Sequence, residues 1–149
     1  MMRIKLVIFD LDGTLLNTLD DLAESVNQAL EAHGLPAHPV DSYRLFVGNG
    51  SKIMIRRAAG DGADESVTET VLREYKDIYA NRWNRLTGKY PGIDGVLDWF
   101  DANAIQYAVL SNKPHEFTAG IIRYYFPGRN FAAVIGQKDG EWTVLAARG

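Results

Sequence analysis

Residues 4–9 form a short apolar run with β-branched content, and it stops abruptly at Asp10-Leu11-Asp12-Gly13-Thr14. A continuous apolar run of this length predicts a strand buried on both faces, as in a parallel sheet. Gly13 permits a sharp turn directly after it. A buried strand that delivers two acids into a turn narrows the fold sharply. Open α/β sheets bind ligands at the carboxyl ends of their strands, which is where this spacing puts the two carboxylates.

The rest of the chain supports an alternating architecture. Leu19, Leu22, Ala23, Val26 and Leu30 recur at helical spacing. Asn17 or Thr18 is positioned to cap that helix, and Gly34 with Pro36 to stop it. Residues 40–86 read as helical throughout. Asp41 can cap a short helix, Gly48-Asn49-Gly50 breaks the chain, and Ser51 can cap the next helix. A longer helix is expected from about Asp64, with Val67, Val71, Leu72, Tyr75, Ile78 and Tyr79 as its apolar stripe. After Tyr90-Pro91-Gly92 come a helix with Val96, Leu97 and Phe100, and a second apolar run, Tyr107-Ala108-Val109-Leu110, ending at Ser111. A helix with Pro114 in its first turn follows, and residues 131–135 read as a third strand. Strands alternating with helices predict a parallel α/β sheet with right-handed crossovers, and the helical insertion after the first strand then reads as a lid.

Composition narrows the classes of function. The 149 residues carry a net charge of −3, with 46% hydrophobic and 23% charged residues. Disordered, collagenous and coiled-coil chains differ from this. A net acidic balance argues against nucleic acid as the main partner. The absence of cysteine removes disulfides, zinc–thiolate sites and thiol catalysis. No apolar run approaches the length of a membrane span. The expectation is a cytoplasmic protein without a membrane partner.

Asp10 and Asp12 admit several uses. A carboxylate pair can bind a hard cation, supply a nucleophile, or divide acid and base roles. An acid in a turn can also merely cap the following helix. The wider context, Val7-Ile8-Phe9-Asp10-Leu11-Asp12-Gly13-Thr14-Leu15-Leu16, resembles the first motif of the haloacid dehalogenase-like hydrolases. That resemblance implies Asp10 as a nucleophile forming an aspartyl-phosphate, and Asp12 as the acid, then base. It implies Mg²⁺ held by the Asp10 carboxylate and the Asp12 backbone carbonyl, and a phosphate contact from Thr14. The family's true dehalogenases lack an acid at the second position, so Asp12 favours phosphate-ester chemistry.

Tyr107-Ala108-Val109-Leu110-Ser111-Asn112-Lys113-Pro114 resembles the second motif of the same family. The resemblance implies phosphate binding by Ser111 and Asn112. Ser111 or Asn112 could instead be a helix cap, and Lys113 either a phosphate contact or a solvated charge. Tyr43-Arg44-Leu45-Phe46-Val47-Gly48-Asn49-Gly50, with Tyr90-Pro91-Gly92-Ile93, resembles the helical cap and its return in phosphoglycolate phosphatase-like members. The implied architecture is a Rossmann-like α/β core over residues 1–18 and 87–149, with an inserted helical cap over 19–86. Gly48, Asn49, Gly50 and Arg44 would then help choose a small phosphorylated metabolite. Lys52 and Arg56 are further possible contacts for a substrate carboxylate, against the plainer reading of solvated charges. His33, His38 and His115 share no metal spacing.

Members of the family continue with a third-motif Lys-Pro and a fourth-motif Gly-Asp with further acids. Neither pattern is found after Gly136. Lys138 precedes the expected lysine position, and Asp139 and Glu141 are the acids near the end. The expectation is therefore a C-terminally incomplete member, through truncation or a frameshift, lacking the last core strands. Its first strand would be an apolar edge open to self-association. Three functions follow: a Mg²⁺-dependent phosphomonoesterase, an inactive fragment that binds phosphate or a partner, or a sugar-phosphate mutase.

Overall fold

The computed structural model describes residues 4–138. In chain order the elements are β1 (Leu6–Phe9), β2 (Leu16–Asn17), α1 (Leu19–Ala32), α2 (Tyr43–Phe46), α3 (Ser51–Ala59), α4 (Glu65–Ala80), β3 (Gly88–Lys89), α5 (Ile93–Ala102), β4 (Gln106–Pro114), α6 (His115–Tyr125) and β5 (Val134–Gln137). They fall into two compact units: Met1–Asn17 with Gly88–Gly149, and Thr18–Thr87.

The first unit is an α/β core. Its sheet has the order β1-β4-β5, and both pairings are parallel. The crossovers through α5 and α6 advance in one direction, so right-handedness puts both helices on the same face. Ring contacts agree. Phe100 of α5 meets Phe9 at 6.0 Å and Tyr107 at 6.2 Å between centroids. Phe131 meets Tyr107 at 4.9 Å and Phe126, just past α6, at 5.8 Å.

The opposite face corrects the expectation that the first strand is buried on both sides. Leu6 and Ile8 are 47% and 56% exposed, and Ile135 of β5 is 46% exposed. The register aligns Ile8 with Ala108 and Leu110 with Ile135, so these side chains share one face. The apolar run resembled a buried strand because composition does not reveal which face has a helix on it. β1 also starts at Leu6 rather than Ile4, and β5 covers Val134–Gln137 rather than 131–135.

β4 does not stop at Ser111. It runs to Pro114 through an irregularity, with Leu110 opposite Ile135 and Pro114 opposite Gln137. Such bulges re-aim side chains at strand ends. Pro114 is thus the residue before α6, not part of its first turn. Gly136 lies against this stretch. A Cβ there would come within 2.6 Å of the Lys113 carbonyl oxygen and the His115 Cα, so only glycine fits without displacing backbone.

The second unit is helical, with Val26, Leu30, Tyr43, Ile55, Val71, Tyr75 and Tyr79 in its core. Asp64 caps α4, accepting the Val67 N–H at 2.9 Å. Thr18 occupies the cap position of α1 without a side-chain capping bond. Ser51 is the first residue of α3 rather than its cap, which is Gly50. Asp41 sits in a 3-10 turn, Val40–Ser42, and pairs with Arg44 instead of capping α2. The unit is not helical to residue 86. α4 ends at Ala80, and the amides of Leu86 and Thr87 donate to the buried Asp21 Oδ2 at 2.9 and 2.8 Å. A side-chain acceptor from α1 thus replaces the carbonyls that a longer helix would have offered. β2 and β3, a two-residue antiparallel pair in the first unit, were not expected.

Candidate active site

The turn after β1 is built around Leu11. Its carbonyl accepts the N–H groups of Thr14, Leu15 and Leu16 at 3.1–3.3 Å, and Gly13 turns with φ of 76°. Leu11, Leu15 and Leu16 are fully buried. Anchoring Leu11 in the core leaves Asp10 and Asp12, on either side of it, half-buried. Thr14 is exposed in the same turn.

Asp10 Oδ1 accepts the Leu11 N–H at 2.7 Å. Burial pushes the Asp10 carboxyl above the ordinary carboxylate range. The Leu11 bond opposes this; the Asp12 charge reinforces it, and Lys113 opposes it. Asp12 meets Lys113 directly. Lys113 Nζ donates to Asp12 Oδ1 at 3.0 Å and Oδ2 at 3.1 Å, and its side chain is only 3% exposed. Lys113 is therefore not a solvated charge.

The Lys113 main chain is held as well. Its N–H donates to Ser111 Oγ at 3.1 Å, and Ser111 is buried. Asn112 between them is half-buried. His115, beside this segment, accepts the Gly136 N–H on Nδ1 at 3.2 Å. The fold thus gathers Asp10, Asp12, Ser111 and Lys113 at the carboxyl ends of β1 and β4. The sequence left Lys113 open between a phosphate contact and a solvated charge, and did not reveal its contact with Asp12, which spans 101 residues.

The proposed cap residues lie in the helical unit. Arg44 Nε donates to Asp41 Oδ1 at 3.3 Å. Arg56 pairs with Glu65 at 3.0 Å, and Lys52 with Glu65 and Glu69. These three cations are matched to acids. Asn49 is held by Arg57, a residue the sequence reading did not single out. His33 pairs with Glu74, and His38 Nε2 meets the Ala58 carbonyl.

A family model described as haloacid dehalogenase-like hydrolase matches residues 7–141. The chain belongs to that family. Phosphoglycolate phosphatase 1 of Pseudomonas aeruginosa is 37% identical over 137 residues, which cover 89% of this chain and 50% of that protein. The phosphoglycolate phosphatase of Pseudomonas syringae pv. tomato is 36% identical with the same coverage. Among solved structures, a predicted phosphoglycolate phosphatase from Haemophilus somnus matches with a TM-score of 0.84 at 29% identity, over 91% of this chain and 64% of that one. A second such protein, from Lactobacillus delbrueckii subsp. bulgaricus, matches with a TM-score of 0.87 at 28% identity, over 93% and 67%. The chain spans about half the length of the curated relatives it matches.

The family is generally Mg²⁺-dependent. The donor chemistry of Asp10 and Asp12, all oxygen, suits a hard cation. Among the described residues no group of three or more His, Cys, Asp or Glu side chains converges as a metal site. Asp139 and Glu141 lie outside the described residues. Among the described residues, no helix is long and apolar enough to cross a membrane.

Proposed function

We propose that the chain is a phosphomonoester hydrolase of the phosphoglycolate phosphatase type. The observation that carries this reading is the Lys113–Asp12 contact, which joins the two motifs at one end of the sheet. The Asp10 carboxylate attacks phosphorus and the ester oxygen departs with a proton from Asp12. Asp12, now a carboxylate, takes a proton from water, which cleaves the aspartyl-phosphate and restores Asp10. Asp10 and Asp12 would hold Mg²⁺, the latter through its backbone carbonyl. The cation supplies screening between the anionic ester and the attacking carboxylate. Ser111, Asn112 and Thr14 are assigned to the phosphoryl oxygens. Lys113 orients Asp12 and adds positive charge beside the phosphate. Gly48, Asn49 and Gly50 are assigned to substrate choice. Arg44 is a weaker candidate because Asp41 already engages it.

The test is phosphate release from a panel of phosphomonoesters that includes 2-phosphoglycolate, with and without Mg²⁺. Turnover is expected to need Mg²⁺ and to fall at least ~1,000-fold in Asp10→Asn. Folded protein that releases no phosphate with Mg²⁺ overturns the reading. A second reading, phosphate binding without turnover, is favoured by the lack of a third converging acid among the described residues. Inorganic phosphate binding by a protein that shows no turnover would select it.

A further inference from the structure

β4 and β5 fall out of step just where the second motif ends. Leu110 lies opposite Ile135 and Pro114 opposite Gln137, so an advance of four residues along β4 matches two along β5. A regular parallel ladder gives each strand amide a carbonyl on its neighbour, and such a step interrupts it. At this step the N–H of Gly136 donates to a side chain, His115 Nδ1, at 3.2 Å. Nδ1 accepts only while the ring is neutral with its proton on Nε2.

That bond holds Gly136 against the acid pair's lysine. Gly136 is buried, and a Cβ on it would come within 2.5–2.6 Å of the Thr118 hydroxyl, the His115 Cα and the Lys113 carbonyl oxygen. Thr118 is fully buried, and its hydroxyl donates to the Lys113 and Pro114 carbonyl oxygens at 3.2 and 3.1 Å. Ser111 Oγ accepts the Lys113 N–H. The main chain of Lys113 is thus bonded at its N–H and at its carbonyl, with Gly136 as the wall beside that carbonyl. A lysine stem is long and flexible, so an ammonium that meets both oxygens of one carboxylate depends on a fixed backbone beneath it. Lys113 Nζ meets Asp12 Oδ1 and Oδ2 at 3.0 and 3.1 Å.

We propose that His115 is a positioning residue of the candidate active site. Its neutral imidazole ties the end of β5 to the start of α6, which keeps Gly136 on the Lys113 carbonyl and the Lys113 ammonium on Asp12. The catalytic consequence rests on the roles given to Asp12 and Lys113 under Proposed function; the placement of the ammonium does not.

The experiment compares the unmutated 149-residue chain with His115→Ala, His115→Asn and His115→Gln. The Asn side-chain oxygen falls where Nδ1 lies and the Gln oxygen where Nε2 lies, so Asn keeps the acceptor and Gln moves it. The first readout is exchange of the Lys113 ammonium protons with water by nitrogen NMR, the resonance being assigned by its loss in Lys113→Met. Exchange is expected at least ~10-fold faster in the Ala and Gln variants and within ~3-fold of the unmutated rate in Asn. The second readout is kcat and KM for 2-phosphoglycolate with Mg²⁺. The Ala and Gln variants are expected to lose ~10-fold in kcat with KM changed less than ~3-fold, because Asp12 moves a proton rather than holding the ester. His115→Asn recovers kcat to within ~3-fold. Arg123→Ala, exposed on the same helix, is the control and changes neither readout.

Ammonium exchange unaltered in His115→Ala overturns the proposal. Asn and Gln variants that behave alike overturn it too, since the bulk of the ring and not its acceptor would then be the cause. Absent Mg²⁺-dependent phosphate release from the unmutated chain defeats the phosphatase reading instead. Ammonium exchange is read without turnover and still decides whether His115 places Lys113.

Discussion

Leu11 decides how Asp10 and Asp12 are presented. It is fully buried, so the acids on either side stay near the surface without leaving the strand end. Burial holds the Asp10 carboxyl above its unfolded value, so the native state binds that proton more tightly than the unfolded chain. The stability from this group is complete below the unfolded value of about 4 and is lost as pH rises through the folded one. In metal-free buffer Asp10→Asn is expected to raise Tm at pH 7 and to match the unmutated protein below about pH 3.5. Thermal unfolding at the two pH values checks this, and a lower Tm at pH 7 would contradict it. Lys113 sets a second residue-level test. Its side chain is 3% exposed and that of Asp12 is 23% exposed. Lys113→Met is expected to cost about 1–3 kcal/mol, less than a fully buried pair because water reaches Asp12. The double variant with Asp12→Asn should be less destabilised than Lys113→Met alone, since the uncompensated charge is gone. Urea unfolding measures both.

Among the elements, the boundaries that moved are those where side chains took over from local preference. The expected stripe of α4 is buried at Val71, Tyr75 and Tyr79 and half-buried at Val67, Leu72 and Ile78, and the chain leaves the helix after Ala80 and hands two amides to Asp21 of α1. Asp21 is fully buried, and the same oxygen accepts the Thr87 hydroxyl at 2.8 Å. Asp21→Ala strands those donors and is expected to cost about 2–4 kcal/mol in urea unfolding. Asp21→Asn keeps an acceptor oxygen and should cost less; equal costs would show that the hydrogen bonds are not the source. β4 moved in the other direction. Its extension past Ser111 depends on β5 pairing at Gln137 and on Gly136 tolerating backbone at close range, neither of which a local pattern contains.

At the scale of the whole molecule, the core unit leaves an apolar sheet face bare among the described residues, with Leu6, Ile8 and Ile135 exposed. β1 pairs with β4 on one side and is otherwise an edge among those residues. An apolar face beside an open edge favours association. Ile8→Lys is expected to shift sedimentation toward the monomer at a given concentration, and association unaffected by it would remove this face as the cause. The sequence by itself determined the family, the alternating α/β order, the helical insertion and the two strand-end motifs. These depend on periodicity and on side-chain identities at fixed short spacing, which a linear reading captures. The tertiary structure alone decided that Lys113 grips Asp12, that Arg57 bonds Asn49 and the Leu45 and Phe46 carbonyls, and which face of β1 is covered. Those outcomes depend on partners up to 101 residues apart and on the direction of the crossovers, so no local window contains them.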